Sequence, residues 1–220
     1  MYIWDLVEII RIAFQDPTAL TFHMTPYKHY WRPSEDAEPI RVFGEFYTSD
    51  AMLQEHENIC NSVRELGCNL ETTVAAIMLW SDSTQLASFG RASLWPIYAY
   101  IGNQLKYARA KPTTLASHHL AYIPAVRHGC PSFQSTICLP FSIKLPDGFE
   151  DYYMKMFGGS PTQTVRTHCK RELMHAIWTL LLTPEFMHAY QHGLIVNCAD
   201  GVTRQIFPRI FTYSADYPEK

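Results

Sequence analysis

The chain has 220 residues, of which 47% are hydrophobic, 18% charged and 14% aromatic, and a formal net charge of −3. This is the balance of a globular chain with material for a sizeable core, one domain or two small ones, and it excludes a disordered polymer. No apolar run reaches the roughly 18 residues of a membrane span, and the mild acidity argues against a general nucleic-acid binder.

The first run, MYIWDLVEIIRIAF, has no basic start and carries Asp5 and Glu8. It therefore reads as a short amphipathic helix ended by Asp16-Pro17 and not as a secretory signal. Residues 1–70 continue as an irregular, acidic, partly helical segment with eleven acids and five bases, interrupted by Pro17, Pro26, Pro33 and Pro39. A helix is expected over Ser49–Arg64, capped by Ser49 or Asp50. Gly67-Cys68-Asn69 marks a soft boundary, so 1–70 and 71–220 are expected as separate parts.

Thr72–Asp82 is apolar almost throughout, and its periodicity leaves strand and helix both open. Two further apolar runs, Leu94–Gly102 and His118–Val126, follow after short breaks and suggest an antiparallel meander. Trp80, Trp95 and Trp178 are expected in the core. Residues 163–192 read as helix, with Val165, Cys169, Leu173, Ile177 and Leu181 recurring every four residues and Ala176 and Leu180 alongside. Thr183-Pro184-Glu185 is a restart signal and Gly193 a stop. The tail reads as a hairpin, Leu194–Cys198 and Gln205–Tyr213 around Asp200-Gly201. Three strands, a helix and a further strand, with Asp82 after the first and Asp216 after the last, make an α/β pattern. It fits the opening half of a ribonuclease-H-like core, where two carboxylates meet at one sheet edge.

Charge is unevenly spread. From Ser83 to Pro146 there is no acid, while Arg91, Lys106, Arg109, Lys111, Arg127 and Lys144 supply six bases. Such an excess can meet a phosphate backbone or form an ordinary solvated face. Arg91, Lys106, Arg109 and Lys111 are the candidate DNA contacts; the last three follow the second strand and are expected near the active edge. His118-His119 is expected as an exposed pair, and His168, His175, His188 and His192 on a polar helix side. The six cysteines form no CxxC pair and are expected as reduced, mostly buried thiols.

Several stretches resemble one family. LWSDSTQLASFGRASLWPIYAYIGNQLKYARAKPT, YKHYWRP, TSDAMLQEHE, HHLAYIP, HCKRELMHAIW and FPRIFTYSADYPEK resemble, in the same order, the Plavaka family of fungal transposases, relatives of CACTA-type elements. The resemblance implies a DDE/D enzyme that cuts DNA and joins the freed 3′-hydroxyl to a target, using two Mg²⁺ or Mn²⁺ ions. Asp82, ahead of Ser93-Leu94-Trp95-Pro96, matches the first acid of such enzymes and Asp216 the second. Both would be catalytic and metal-binding. The implied partners are transposon ends and target DNA in the nucleus, with a homo-oligomer as the working form and no membrane. The third acid of the family lies beyond Lys220; Glu219 and Asp200 are poor substitutes. This polypeptide is therefore expected as a fragment that does not cut DNA, with a catalytically dead or co-opted DNA-binding protein as the alternative. Residues 126–143 depart from the family pattern and are expected as an aberrant insertion.

Overall fold

The computed structural model describes residues 2–62, 69–82, 84–85, 92–127 and 141–215. Strand β1 (Tyr2–Ile3) leads into helix α1 (Leu6–Gln15). The helix begins where the Asp5 carboxylate accepts from the Val7 N–H at 2.9 Å, satisfying an amide that has no partner inside the helix. Asp16 closes α1 and caps the 3₁₀ turn Pro17–Thr21 that follows. Strands β2 (His29–Trp31) and β3 (Ile40–Val42) pair as a separate two-stranded ribbon. Helix α2 (Asp50–Asn61) starts at Ser49, whose hydroxyl accepts from Met52 N–H at 3.2 Å.

The main sheet begins with β4 (Glu71–Ser81) and β5 (Thr84–Gln85), continues with β6 (Ala92–Ile101), the short helix α3 (Lys106–Arg109), β7 (His118–Arg127) and β8 (Phe141–Ile143). Helices α4 (Phe149–Phe157), α5 (Gln163–Leu181) and α6 (Pro184–His192) follow, then the hairpin β9 (Leu194–Asn197) and β10 (Thr203–Ser214). The strand order is β1-β7-β6-β4-β10-β9, with β5 added to β6 and β8 to β7. The expected meander is present, since β4, β6 and β7 pair antiparallel in turn. β10 then lies parallel to β4 on its free side, over ten paired positions from Arg204↔Glu71 to Ser214↔Trp80. The architecture is mixed α/β.

Residues 72–81 lie within the strand β4, which is central in the sheet; its first half is covered on both faces, which removes the alternation that would have announced a strand there. On one face Ala75, Ile77 and Leu79 pack with Trp95, Ile97 and Ala99 of β6 under α1, α5 and α6. α1 alone sends Leu6, Val7, Ile9, Ile10, Ala13 and Phe14 into this core. At about 1.5–3 kcal/mol for each fully buried large side chain, that is a major part of the packing. On the other face Met52 and Ile59 of α2, with Phe46, cover Val74, Ala76 and Phe207. That cover stops short of the second half of β4.

Several expectations are corrected here. Trp80 is 40% exposed, because it points to the uncovered face, whereas Trp95 is buried at 3%. Leu180 is exposed and Ala176 also faces out, since only Ile177 and Leu181 of that row are fully buried. The stretch 163–192 is helical with the expected restart, where Thr183 caps α6 by accepting from Phe186 N–H at 3.1 Å. Of the three described cysteines only Cys198 is buried; Cys60 is exposed and Cys169 intermediate. The insertion expected at 126–143 is not among these corrections: its two ends pair in the sheet, Val126 opposite Ser142 and Arg127 opposite Phe141, and 128–140 lie outside the described residues.

Candidate active site

Asp82 follows the last residue of β4 and is half-buried. On the β6 side the ladder ends at Ser81↔Ile97 and resumes at Thr84↔Leu94. Continued past Ser81↔Ile97, the count puts Pro96 opposite position 82. Proline has no N–H to give, so the backbone is free to depart from strand geometry there. On the β10 side, Trp80 stands opposite Ser214. Ser81 is 1% exposed, and its Oγ lies 2.9 Å from the hydroxyl of Tyr213. Trp178 of α5 closes edge-on against the Tyr213 ring at 5.2 Å and 84°.

Asp82 lies beside the part of the sheet that α2 leaves open. Aromatic side chains cross the strands there. Trp80 stacks on Tyr98 (5.6 Å, 21°), Tyr98 meets His119 edge-on at 5.0 Å, and Tyr122 lies between His119 and Trp4, 5.5 Å from each. Burial, with smaller contributions from Tyr122, Tyr100 and Asp82, pushes the Tyr98 phenol above its ordinary value, so it stays neutral. This row was not legible in the sequence: the alternation of β4 could have suggested it, but only after the strand assignment.

The remaining candidates fall elsewhere. Asp216 and Arg91 lie outside the described residues. Lys106, Arg109 and Lys111 follow the C-terminal end of β6, where Gly102 N–H donates to the carbonyl of Ala76. Ala76 precedes Asp82 by six residues on β4, about 20 Å along a strand. The expected nearness to the active edge is thus corrected: β6 runs antiparallel to β4, and its end returns to the opposite end of the sheet. Lys106 Nζ donates to Gly44 O at 3.0 Å, and half-buried Arg109 donates to the carbonyls of Gly102 and Gln104. Lys111 is exposed.

Asp200 caps its own turn by accepting from Val202 N–H at 3.1 Å and pairs with Arg204 at 2.8 Å, which holds its carboxyl down at about 2. Its role is in the hairpin. His118 is half-buried, contrary to expectation, and lines a cavity of about 210 Å³ with Asp16, Phe22 and Gln104, whereas His119 is exposed. His168, His175, His188 and His192 are exposed as expected. Among the described residues no three His, Cys, Asp or Glu side chains cluster to hold a metal. The donor chemistry of Asp82 nevertheless fits a hard cation, because Mg²⁺ favours carboxylate oxygen and takes only one or two from the protein while keeping several waters. Among the described residues no helix is long and apolar enough to cross a membrane.

The family model for Plavaka transposase matches residues 1–139 and 154–220. The break in the match, 140–153, falls later than the 126–143 stretch marked out by motif spacing. No curated protein and no solved structure matches the chain.

Proposed function

The chain belongs to the Plavaka transposase family, and from that premise we propose that Asp82 and Asp216 are the metal-holding carboxylates of a DNA strand-cleavage and strand-transfer site. The observation that carries this reading is the parallel pairing of β4 with β10 up to Trp80↔Ser214. Asp82 and Asp216 each follow that pair by two residues in sequence. The meander β4-β6-β7 with β10 parallel to β4 supports a ribonuclease-H-like core, in which neighbouring strands carry two acids to one edge.

Bound Mg²⁺ or Mn²⁺ would supply stabilisation of the attacking and leaving oxygens in an in-line displacement at phosphorus. Asp82 would hold metal from the first strand and Asp216 from its parallel neighbour. The open aromatic face beside Asp82 is the approach for DNA. Arg91 and Lys111 are the proposed phosphate contacts, while the bonds of Lys106 and Arg109 to main-chain carbonyls serve the fold. DNA as substrate puts the proposed place of action in the nucleus, and membership of a transposase family makes a homo-oligomer the proposed working assembly.

Titrating Mn²⁺ into the chain tests the reading. Asp82→Ala and Asp216→Ala should each weaken binding by at least about tenfold, and duplex affinity should fall with added salt. Identical Mn²⁺ isotherms for the wild type and both variants would remove the proposal. Salt-dependent DNA binding that is indifferent to both acids would favour a DNA-binding role without cutting.

A further inference from the structure

We infer that an extra residue in β10, Phe211, and the Ser81–Tyr213 hydrogen bond it makes possible form a positioning device for the Asp82 carboxylate. The inference rests on the metal-holding reading of Asp82. Along β10, Ile210 stands opposite Ile77, but Thr212 stands opposite Met78, so Phe211 is inserted without a partner on β4. Such bulges re-aim the side chains that follow. The Phe211 ring is held edge-on by Phe46 at 4.9 Å and 66°, on the face that α2 covers.

The consequence lies two residues on. In an uninterrupted strand Tyr213 would fall opposite Trp80, and its side chain would leave on the open face. With the insertion it falls opposite Leu79, on the helix-covered face. There Trp178 of α5 closes on the ring, and the Tyr213 hydroxyl meets Ser81 Oγ at 2.9 Å. The bond ties Ser81, the last residue of β4, to β10 directly before Asp82. With Ser81 held toward the helices, strand alternation directs the next residue, Asp82, to the other face.

A metal-holding carboxylate must be aimed to within roughly 0.5 Å and 10–20°. Ser81 is the last residue of β4, and the end of a strand is the part of it that opens most readily, so a side-chain tie there sharpens the aim of the residue that follows. Ser81 and Tyr213 supply that restraint and act through Asp82; they are positioning residues.

The test is Mn²⁺ affinity of the full 220-residue chain, read by calorimetry and by loss of the free-ion electron paramagnetic resonance signal, with thermal midpoints measured in parallel. Ser81→Ala and Tyr213→Phe should each weaken Mn²⁺ binding by about tenfold with the midpoint changed by only a few degrees. Ser81→Thr, which keeps the hydroxyl, should restore wild-type affinity. Wild-type affinity in Ser81→Ala and Tyr213→Phe, beside an Asp82→Ala chain that has lost it, overturns the inference and leaves the metal reading standing. If Asp82→Ala itself binds like the wild type, both fall. Should a truncation unfold the chain, Ser81→Thr decides: folded with wild-type affinity supports the device, folded with weakened affinity overturns it.

Discussion

Asn103 holds together three parts of the chain that share no local sequence, which makes its replacement a sharp probe of the fold. Its side chain is 0% exposed. Oδ1 accepts from the Ala76 N–H at 3.0 Å, and Nδ2 donates to the carbonyls of Val74 at 2.9 Å and His23 at 3.1 Å. The amide thus behaves as one more strand residue, extending the ladder of β4 just beyond its last pair with β6, Ile77↔Ile101. Asn103→Ala strands a buried N–H and a buried carbonyl on β4, and leaves the His23 carbonyl short of a donor. An unsatisfied buried polar group costs about 1–3 kcal/mol. Two such groups, with His23 partly relieved by water, come to about 3–4 kcal/mol. At about 2–4 °C per kcal/mol for a domain of this size, the thermal midpoint should fall by roughly 6–16 °C. Asn103→Asp is nearly isosteric, so it opens no cavity, yet it turns an acceptor toward two carbonyls and should be at least as damaging at neutral pH. Thermal and urea unfolding of both variants is the assay. A midpoint within about 2 °C of wild type for either one would refute the account.

Two other perturbations test separate parts of the structure. Burial holds the His118 imidazole below its ordinary 6.5, opposed by the nearby Asp16 and assisted by His119. The folded state therefore takes up a proton less readily than the unfolded chain. Its stabilising contribution is complete above 6.5 and is lost as pH falls from there through the folded value. His118→Asn should flatten the fall in thermal midpoint below pH 6.5; an unchanged pH profile would count against the burial argument. At Gly193 the backbone has φ +75° and ψ 163°, and an added Cβ would sit 2.6 Å from Gln205 Cγ and 3.0 Å from the Phe207 ring. Only glycine adopts that region readily, at a cost of about 1–3 kcal/mol for other residues, so Gly193→Ala should lower urea stability by at least that amount.

How far the fold was legible depended on the range of the signal. The start of α2 at Ser49, the division of α5 from α6 at Thr183-Pro184, and the Asp200-Gly201 turn were readable because caps and turns are decided within four or five residues. The family was readable from ordered motifs. The short strands β1, β2, β3, β5 and β8 were not, because strands of two or three residues carry too few positions to show a period.

The remaining features were decided only by which segments pack together. Trp80 looked like core in its apolar run and is exposed because α2 ends its cover before reaching it. Lys106 and Arg109 follow the second strand of the meander in sequence, yet antiparallel pairing returns them to the end of the sheet away from Asp82. Ser81 and Tyr213 are 132 residues apart, and their contact exists only because Phe211 shifts the register of β10 by one. A side chain's face in a strand alternates with every residue, so no local property of Tyr213 could announce which face it would take. The sequence alone determined the caps, the turns and the family, which are written in local or ordered residues; tertiary pairing decided what surrounds Asp82 and which cations lie far from it.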